Sequence, residues 1–145
     1  MQTTQKDPIQ IVGIELKTSN DVARQTIPPQ WQKFYQEGVL EKIPNKISQD
    51  VYGVYTHFRH IGKYQECAYS LIIGAAVSKV GKLPAGLVAA IIPPSNRQIF
   101  AVVGGPMKVG EKWLEIWQQP LKRAFVADYE KYQPSGAIDI FIGVK

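Results

Sequence analysis

Residues 109–144 read VGEKWLEIWQQPLKRAFVADYEKYQPSGAIDIFIGV, and the changes of period inside this stretch decide the fold. From Val109 to Gln119, Trp113, Ile116 and Trp117 fall on one face at helical spacing. Pro120 closes that helix, because a proline has no amide to continue the ladder. The period then drops to two. Phe125 to Tyr132 reads as a strand rich in aromatic residues, Pro134-Ser135-Gly136 as a turn, and Ala137 to Val144 as a second strand. Upstream, Gln98 to Val103 reads as a strand and Gly104-Gly105-Pro106 as the turn that leads into the helix. The order is strand, helix, strand, strand.

The same order is present earlier in the chain. Ile9 to Leu16 alternates around Gly13 and reads as a strand. Thr18-Ser19-Asn20-Asp21 offers short side chains that cap helix amides, so a brief helix is expected over Asp21–Arg24. A second helix is expected to start at Pro28-Pro29, where proline fits a first turn. It carries Trp31, Phe34 and Tyr35 and ends near Gly38. Val51 to Phe58 and Cys67 to Val77 read as strands, Lys79 to Pro84 as a turn, Leu87 to Pro93 as an extra extended segment, and Pro93-Pro94-Ser95-Asn96 as a turn.

Side chains support a duplication. Trp31, Phe34, Tyr35, Gln36 align with Trp113, Ile116, Trp117, Gln118. An aromatic-rich strand follows each helix, Val51-Tyr52-Gly53-Val54-Tyr55 and Phe125-Val126-Ala127-Asp128-Tyr129. Each half ends in Ile-Gly, at Ile73-Gly74 and Ile142-Gly143. The expected fold is α+β, with duplicated βαββ repeats spanning about 8–78 and 85–145 of a single domain and an antiparallel sheet forming a ligand groove. Two halves related by a pseudo-twofold leave a cleft at their junction, a common place for a ligand.

Composition fits one domain of 145 residues. Cys67 is the only cysteine, which excludes a disulfide framework, and 45% hydrophobic residues exclude a disordered chain. The net charge is +5, but the basic residues are scattered and only Lys122-Arg123 are adjacent. That pattern fits a solvated surface rather than a nucleic-acid or lipid patch. The start, MQTTQKDPIQ, lacks the layout of a signal peptide, and Pro84 and Gly86 interrupt the apolar Leu83–Ile92 run. A cytoplasmic protein with no direct nucleic-acid binding and no membrane attachment is expected.

No phosphate-binding glycine loop or nucleophile elbow is present. His57 and His60 alone do not make a metal site, which wants three or four ligands, and they read as an exposed pair. Cys67 reads as a buried thiol. No metal, cofactor or catalytic residue is assigned. Among the carboxylates, Glu130 stands out because it lies inside a strand. There, Asp128, Glu130 and Tyr132 share one face while Tyr129 and Lys131 share the other. Asp128 reads as a second acid at the rim or as an edge charge, and Glu66 is a weaker candidate. A carboxylate enclosed by rings is costly to desolvate without a partner. A flat cationic guest supplies that partner, and ring faces attract cations. Trp117, Tyr69, Tyr132 and Phe141 are the expected walls of the groove, and Phe34, Phe58, Phe100 and Ile116 the expected core.

These features together resemble one family: the duplicated layout, Trp113-x-x-x-Trp117, Asp128-Tyr129-Glu130-Lys131-Tyr132, the Pro-Ser-Gly turn and Ile138-Asp139-Ile140-Phe141-Ile142. They are similar to the gyrase-inhibitor-like (GyrI-like) small-molecule-binding domains, which also serve as effector-binding domains of AraC-type and MerR-type multidrug regulators. Within that group the chain is most similar to stand-alone, integron-cassette-encoded members that bind cationic drugs. The resemblance covers nearly the whole chain and is most specific after Val109. It implies two βαββ repeats, a groove between them, and a glutamate, here Glu130, that pairs with lipophilic cations. It implies an aromatic on the last strand, here Phe141 where tyrosine is more usual, that stacks on the guest. Gly143 stands where the family usually has proline. No helix-turn-helix segment precedes the domain, so no DNA-reading part is expected. Three alternatives stay open: a hydrolase of strained electrophilic rings with a Glu/Tyr site, a gyrase-inhibitor-like module that binds a protein partner or a second copy, and a regulator acting with a separately encoded DNA-binding chain.

Overall fold

The computed structural model describes residues 1–145. Eight strands form one antiparallel sheet: β1 (Gln2–Gln5), β2 (Ile9–Ser19), β3 (Val51–Arg59), β4 (Ala68–Val77), β5 (Val88–Ile92), β6 (Ser95–Val102), β7 (Ala127–Tyr132) and β8 (Ile138–Val144). Their order across the sheet is β1-β6-β8-β7-β3-β4-β2-β5. Three helices accompany them, α1 (Ala23–Gln36), α2 (Val39–Lys42) and α3 (Val109–Gln118), and a single 3-10 turn at Pro106–Lys108 leads into α3. No helix is long and apolar enough to cross a membrane.

The strand order is symmetric about the β7–β3 seam. One half contributes β3-β4-β2 with α1, and the other contributes β7-β8-β6 with α3. The two outermost strands are exchanged between the halves: β1 precedes β2 in sequence but pairs with β6, and β5 precedes β6 but pairs with β2. The extended segment around Leu87 is therefore the counterpart of β1. The sheet curls until its two edges meet, since the Gln5 side chain of β1 donates to the Ile92 carbonyl of β5 at 3.2 Å. Gly13 and Gly74 face each other on β2 and β4, and a Cβ on either would land on the opposite backbone. The curl requires both.

Burial follows the same plan. Val12, Ile14, Leu71 and Ile73 pack under α1 and α2 with Phe34 and Val39, while Ile138, Ile140 and Ile142 pack under α3 with Ile116. A third cluster, including Ile11, Tyr52, Val54, Ile72 and Tyr129, fills the inside of the curl, where no helix lies. Full burial of each such side chain stabilises the fold by about 1.5–3 kcal/mol.

Several local expectations need correction. The polar segment Gln2–Gln5 carries no apolar alternation, yet it is a strand because β6 offers it a free edge. Asp21–Arg24 and Pro28 do not belong to separate helices; α1 runs unbroken through Pro28 and Pro29. The prolines cannot supply the amides that the carbonyls of Arg24 and Gln25 would otherwise accept from. Nor does the Thr18–Asp21 segment cap α1. Instead Thr18 and Thr26 hydroxyls meet at 2.6 Å, and Asn20 turns toward two tyrosines. Gly38 adopts a left-handed φ of 60°, and α2 follows it. Ser95 and Asn96 belong to β6 rather than to a turn, because they pair with β1. Phe125 and Val126 lie outside β7, with Phe125 at a left-handed φ of 53°.

Candidate functional site

A cavity of about 920 Å³ lies over the β3–β7 seam, between α1 and α3. Seam pairing places Gly53 directly opposite Glu130, with Tyr55 opposite Asp128 and Val51 opposite Tyr132. Glu130 forms the floor and is 1% exposed. Three neutral donors from three elements hold its carboxylate. Tyr55 of β3 donates its hydroxyl to Oε2 at 2.8 Å, the Trp113 indole of α3 donates to Oε2 at 2.7 Å, and Tyr132 of β7 donates to Oε1 at 2.7 Å. No arginine, lysine or histidine pairs with Glu130. Burial pushes its pKa above the ordinary 4.5, and the three donors pull it partly back. Burial and the neighbouring carboxylate raise the Tyr55 and Tyr132 hydroxyls, so both stay protonated and act as donors.

The seam also corrects the alignment of the two halves. Tyr55 faces the cavity, whereas Tyr129 lies inside the curl, so these two are not counterparts. The matching stretches are Tyr52-Gly53-Val54-Tyr55 and Tyr129-Glu130-Lys131-Tyr132, which agree face by face. The pair Gly53/Glu130 then maps onto itself under the pseudo-twofold. One half contributes the carboxylate and the other contributes an absence of side chain. A Cβ at Gly53 would lie 3.0 Å from Glu130 Oε1 and 3.3 Å from the Trp31 ring. A carboxylate at both positions would set two like charges in a direct cross-strand pair.

Rings build the walls. Trp31 of α1 meets Tyr132 edge-on at 5.0 Å and stacks with Tyr35 at 6.1 Å. Tyr55 meets Trp113 edge-on at 5.0 Å and Tyr69 at 5.2 Å. The Tyr69 hydroxyl donates to Asn20 Oδ1 at 3.0 Å, and the Asn20 amide donates to the Tyr64 carbonyl at 2.9 Å. Trp117 meets Tyr64 at 5.0 Å on the outer side. No His, Cys, Ser or Lys lines the cavity.

Of the five residues expected at the site, Glu130, Trp117, Tyr69 and Tyr132 all line this cavity. Phe141 does not. It pairs with Tyr129 and stacks on that ring at 4.6 Å and 8°, on the opposite face of the sheet. Asp128 is neither a rim acid nor an edge charge. It is fully buried on a central strand, accepts the Gly143 amide at 2.8 Å, and pairs with Arg123 at 2.6 Å. Burial raises its pKa, and Arg123 counteracts the rise. Glu66 is exposed and faces Lys63 at 3.8 Å, away from the cavity. Phe58, expected in the core, is only half buried and lines the cavity. Sequence reading missed Tyr55, Trp31 and the direct role of Trp113. The signal available was the repeated Tyr-x-x-Tyr of the two seam strands, read in the register that keeps faces together.

Residues 2–144 match the family described as Cass2, integron-associated effector binding protein. The fold is similar to an integron cassette protein from the mobile metagenome of Vibrio cholerae, at 22% identity over 99% of this chain and 95% of that one, with a TM-score of 0.75. It is similar to SAV2435 bound to tetraphenylphosphonium, at 20% identity over 100% and 93% of the two chains, with a TM-score of 0.80. A third similar structure, from Staphylococcus aureus MU50, is described as a bacterial transcription regulation protein, at 20% identity, 100% and 97% coverage and a TM-score of 0.73. At these identities the likeness is one of fold. No curated protein sequence matches the chain.

Proposed function

The chain belongs to the integron-associated effector-binding protein family, and on that premise we propose that its cavity takes up lipophilic, cationic small molecules. The observation that carries this reading is Glu130: a carboxylate buried at the floor of a large aromatic cavity, bonded only to neutral donors and left without a counter-cation. Burying an uncompensated charge is costly, and folds normally neutralise it with an ion pair. Here the compensating charge comes from the guest. Trp117, Tyr69 and Tyr132, together with Trp31, Tyr55 and Trp113, present ring faces and edges to it, each cation–ring contact contributing about 0.5–2 kcal/mol. The phosphonium-bound structure of similar fold is in line with such a guest.

Displacement of a fluorescent cationic dye by tetraphenylphosphonium, measured on wild type and Glu130→Gln, tests the proposal. Equal affinity in both proteins would sink it. A second reading has one observation in its favour: Glu130 is flanked by two tyrosine hydroxyls at 2.7–2.8 Å, an arrangement usable for acid/base opening of a strained ring. It requires turnover of such a substrate that disappears in Glu130→Gln. Uptake of a cation without turnover supports the binding module alone.

A further inference from the structure

The cavity has a second polar pole that its carboxylate does not explain. Arg123 lines the wall and its side chain is 6% exposed. Its guanidinium lies 4.2 Å from the Phe125 ring centre and 4.5 Å from that of Trp117. One nitrogen, Nη2, donates to Asp128 Oδ2 at 2.6 Å. Nε and Nη1 are the only buried side-chain nitrogens or oxygens of the chain with no partner among the protein's atoms. Buried donors of a native fold are nearly always satisfied.

Arg97, the other buried arginine, shows what a purely structural role looks like here. Its Nε donates to Gln5 Oε1 at 2.9 Å, its Nη2 to the Pro93 carbonyl at 2.9 Å, and its Nη1 to the Ala127 carbonyl. The fold thus satisfies every nitrogen of an arginine that ties strands together, and leaves two without a partner on the arginine of the cavity wall. Trp113 stands between the two poles. Its indole nitrogen bonds Glu130 Oε2 at 2.7 Å, and its ring lies 6.0 Å from Arg123 Cζ. Glu130, Trp113 and Arg123 all line the one cavity.

We propose that Arg123 is an acceptor-binding pole of this cavity, taking an uncharged oxygen of the same guest whose cation rests at Glu130. The guest class is then a lipophilic cation bearing a ketone, ester or amide carbonyl. The acceptor is uncharged because Asp128 already compensates the guanidinium; a carboxylate would add an unmatched charge. The inference rests on the cationic-guest reading for the placement of the guest.

The test uses a homologous series of triphenylphosphonium ions whose alkyl tails end in a methyl ketone, each beside its isobutyl-ended isostere, titrated into wild type, Arg123→Lys and Glu130→Gln. In wild type one member of the ketone series binds about tenfold more tightly than its isostere, the gain of a charge-assisted hydrogen bond. Arg123→Lys keeps a positive charge toward Asp128 but loses the planar fork of donors, and the preference disappears. Glu130→Gln weakens both compounds and keeps the preference. Isosteres that match or exceed the ketones throughout, or a preference that survives in Arg123→Lys, would overturn the proposal. A readout independent of any variant is the Arg123 Nε–H resonance of wild type, which shifts with the ketone and stays in place with the isostere. If no phosphonium binds at all, the cationic reading fails, and the same resonance titrated with a neutral aryl methyl ketone decides the role of Arg123 separately.

Discussion

Glu130→Gln removes one charge from a site where that charge is buried, bonded and unpaired, so affinity and stability move in opposite directions. A cation centred about 5 Å from the carboxylate, at an effective dielectric of about 20, gains about 3 kcal/mol from it. Loss of that attraction is worth about two orders of magnitude in Kd. Ring contacts remain, so binding weakens rather than vanishes. The fold should tolerate the change: glutamine accepts through its oxygen, and a tyrosine hydroxyl can turn to accept from the new amide. The sign of the stability effect follows from linkage. Burial holds the folded-state pKa of Glu130 above its ordinary 4.5. The contribution of this group is therefore complete below the unfolded pKa and is lost as pH rises through the folded one. At neutral pH wild type carries a desolvation cost that Glu130→Gln does not. The expected outcome in urea titrations is a variant as stable as wild type or more so at neutral pH, the gap closing in acid. In dye displacement, wild-type affinity for a quaternary cation falls as pH drops through the raised pKa, while the weaker affinity of Glu130→Gln stays flat. Unchanged affinity in the variant, or a loss of stability above about 3 kcal/mol at neutral pH, the size seen when a structural buried charge pair is broken, would refute the reasoning.

Trp113→Phe keeps a ring but removes one donor to Glu130 Oε2. Glu130 then titrates at still higher pH, and the acid limb of the binding profile moves up, which a pH series of displacement titrations reads directly. Gly53→Ala places a methyl 3.0 Å from Glu130 Oε1 and 3.3 Å from Trp31. Overpacking of about 1–3 kcal/mol is expected, seen as a lower urea midpoint together with weaker cation binding. Arg97→Met removes three bonds that tie β6 to β1, to the Pro93 turn and to β7. It leaves buried carbonyls without donors, so a loss of about 3 kcal/mol or more is expected by urea denaturation. Phe141→Leu unstacks Tyr129 inside the curl; it lowers stability but leaves the affinity for tetraphenylphosphonium unchanged, because Phe141 does not reach the cavity.

The elements most legible in the sequence were those whose period is carried by large side chains. Trp113, Ile116 and Trp117 mark α3, and the apolar run of β4 marks a strand buried on both faces. Each of these patterns is a local property, so it survives without knowledge of the partner. Gln2–Gln5 has no such pattern, and its strand exists only through β6. Pro28 and Pro29 mislead because their local preference for a first turn is overridden by packing: Ile27 before them and Trp31 and Phe34 after them pack on the core, Phe34 being 1% exposed, and hold α1 against the sheet. Phe141 shows the limit of alternation. Both faces of β8 are covered, Ile140 on one and Phe141 on the other, so polarity along the strand does not tell which face meets the cavity.

The sequence by itself determined that this is a duplicated α+β chain with one carboxylate, Glu130, inside an aromatic strand, because helical and strand periods and the unusual position of a charge are written in neighbouring residues. Only the tertiary structure decided which groups surround that carboxylate. Tyr55 lies 75 residues from Glu130 in sequence and Trp113 lies 17 away. Their meeting depends on the register of the β3–β7 seam, where a slip of one residue would turn every side chain to the other face. That register gives Glu130 a glycine as its partner, three neutral donors and no counter-charge. It also leaves Phe141 outside and Arg123 in the wall with two buried donors unpartnered.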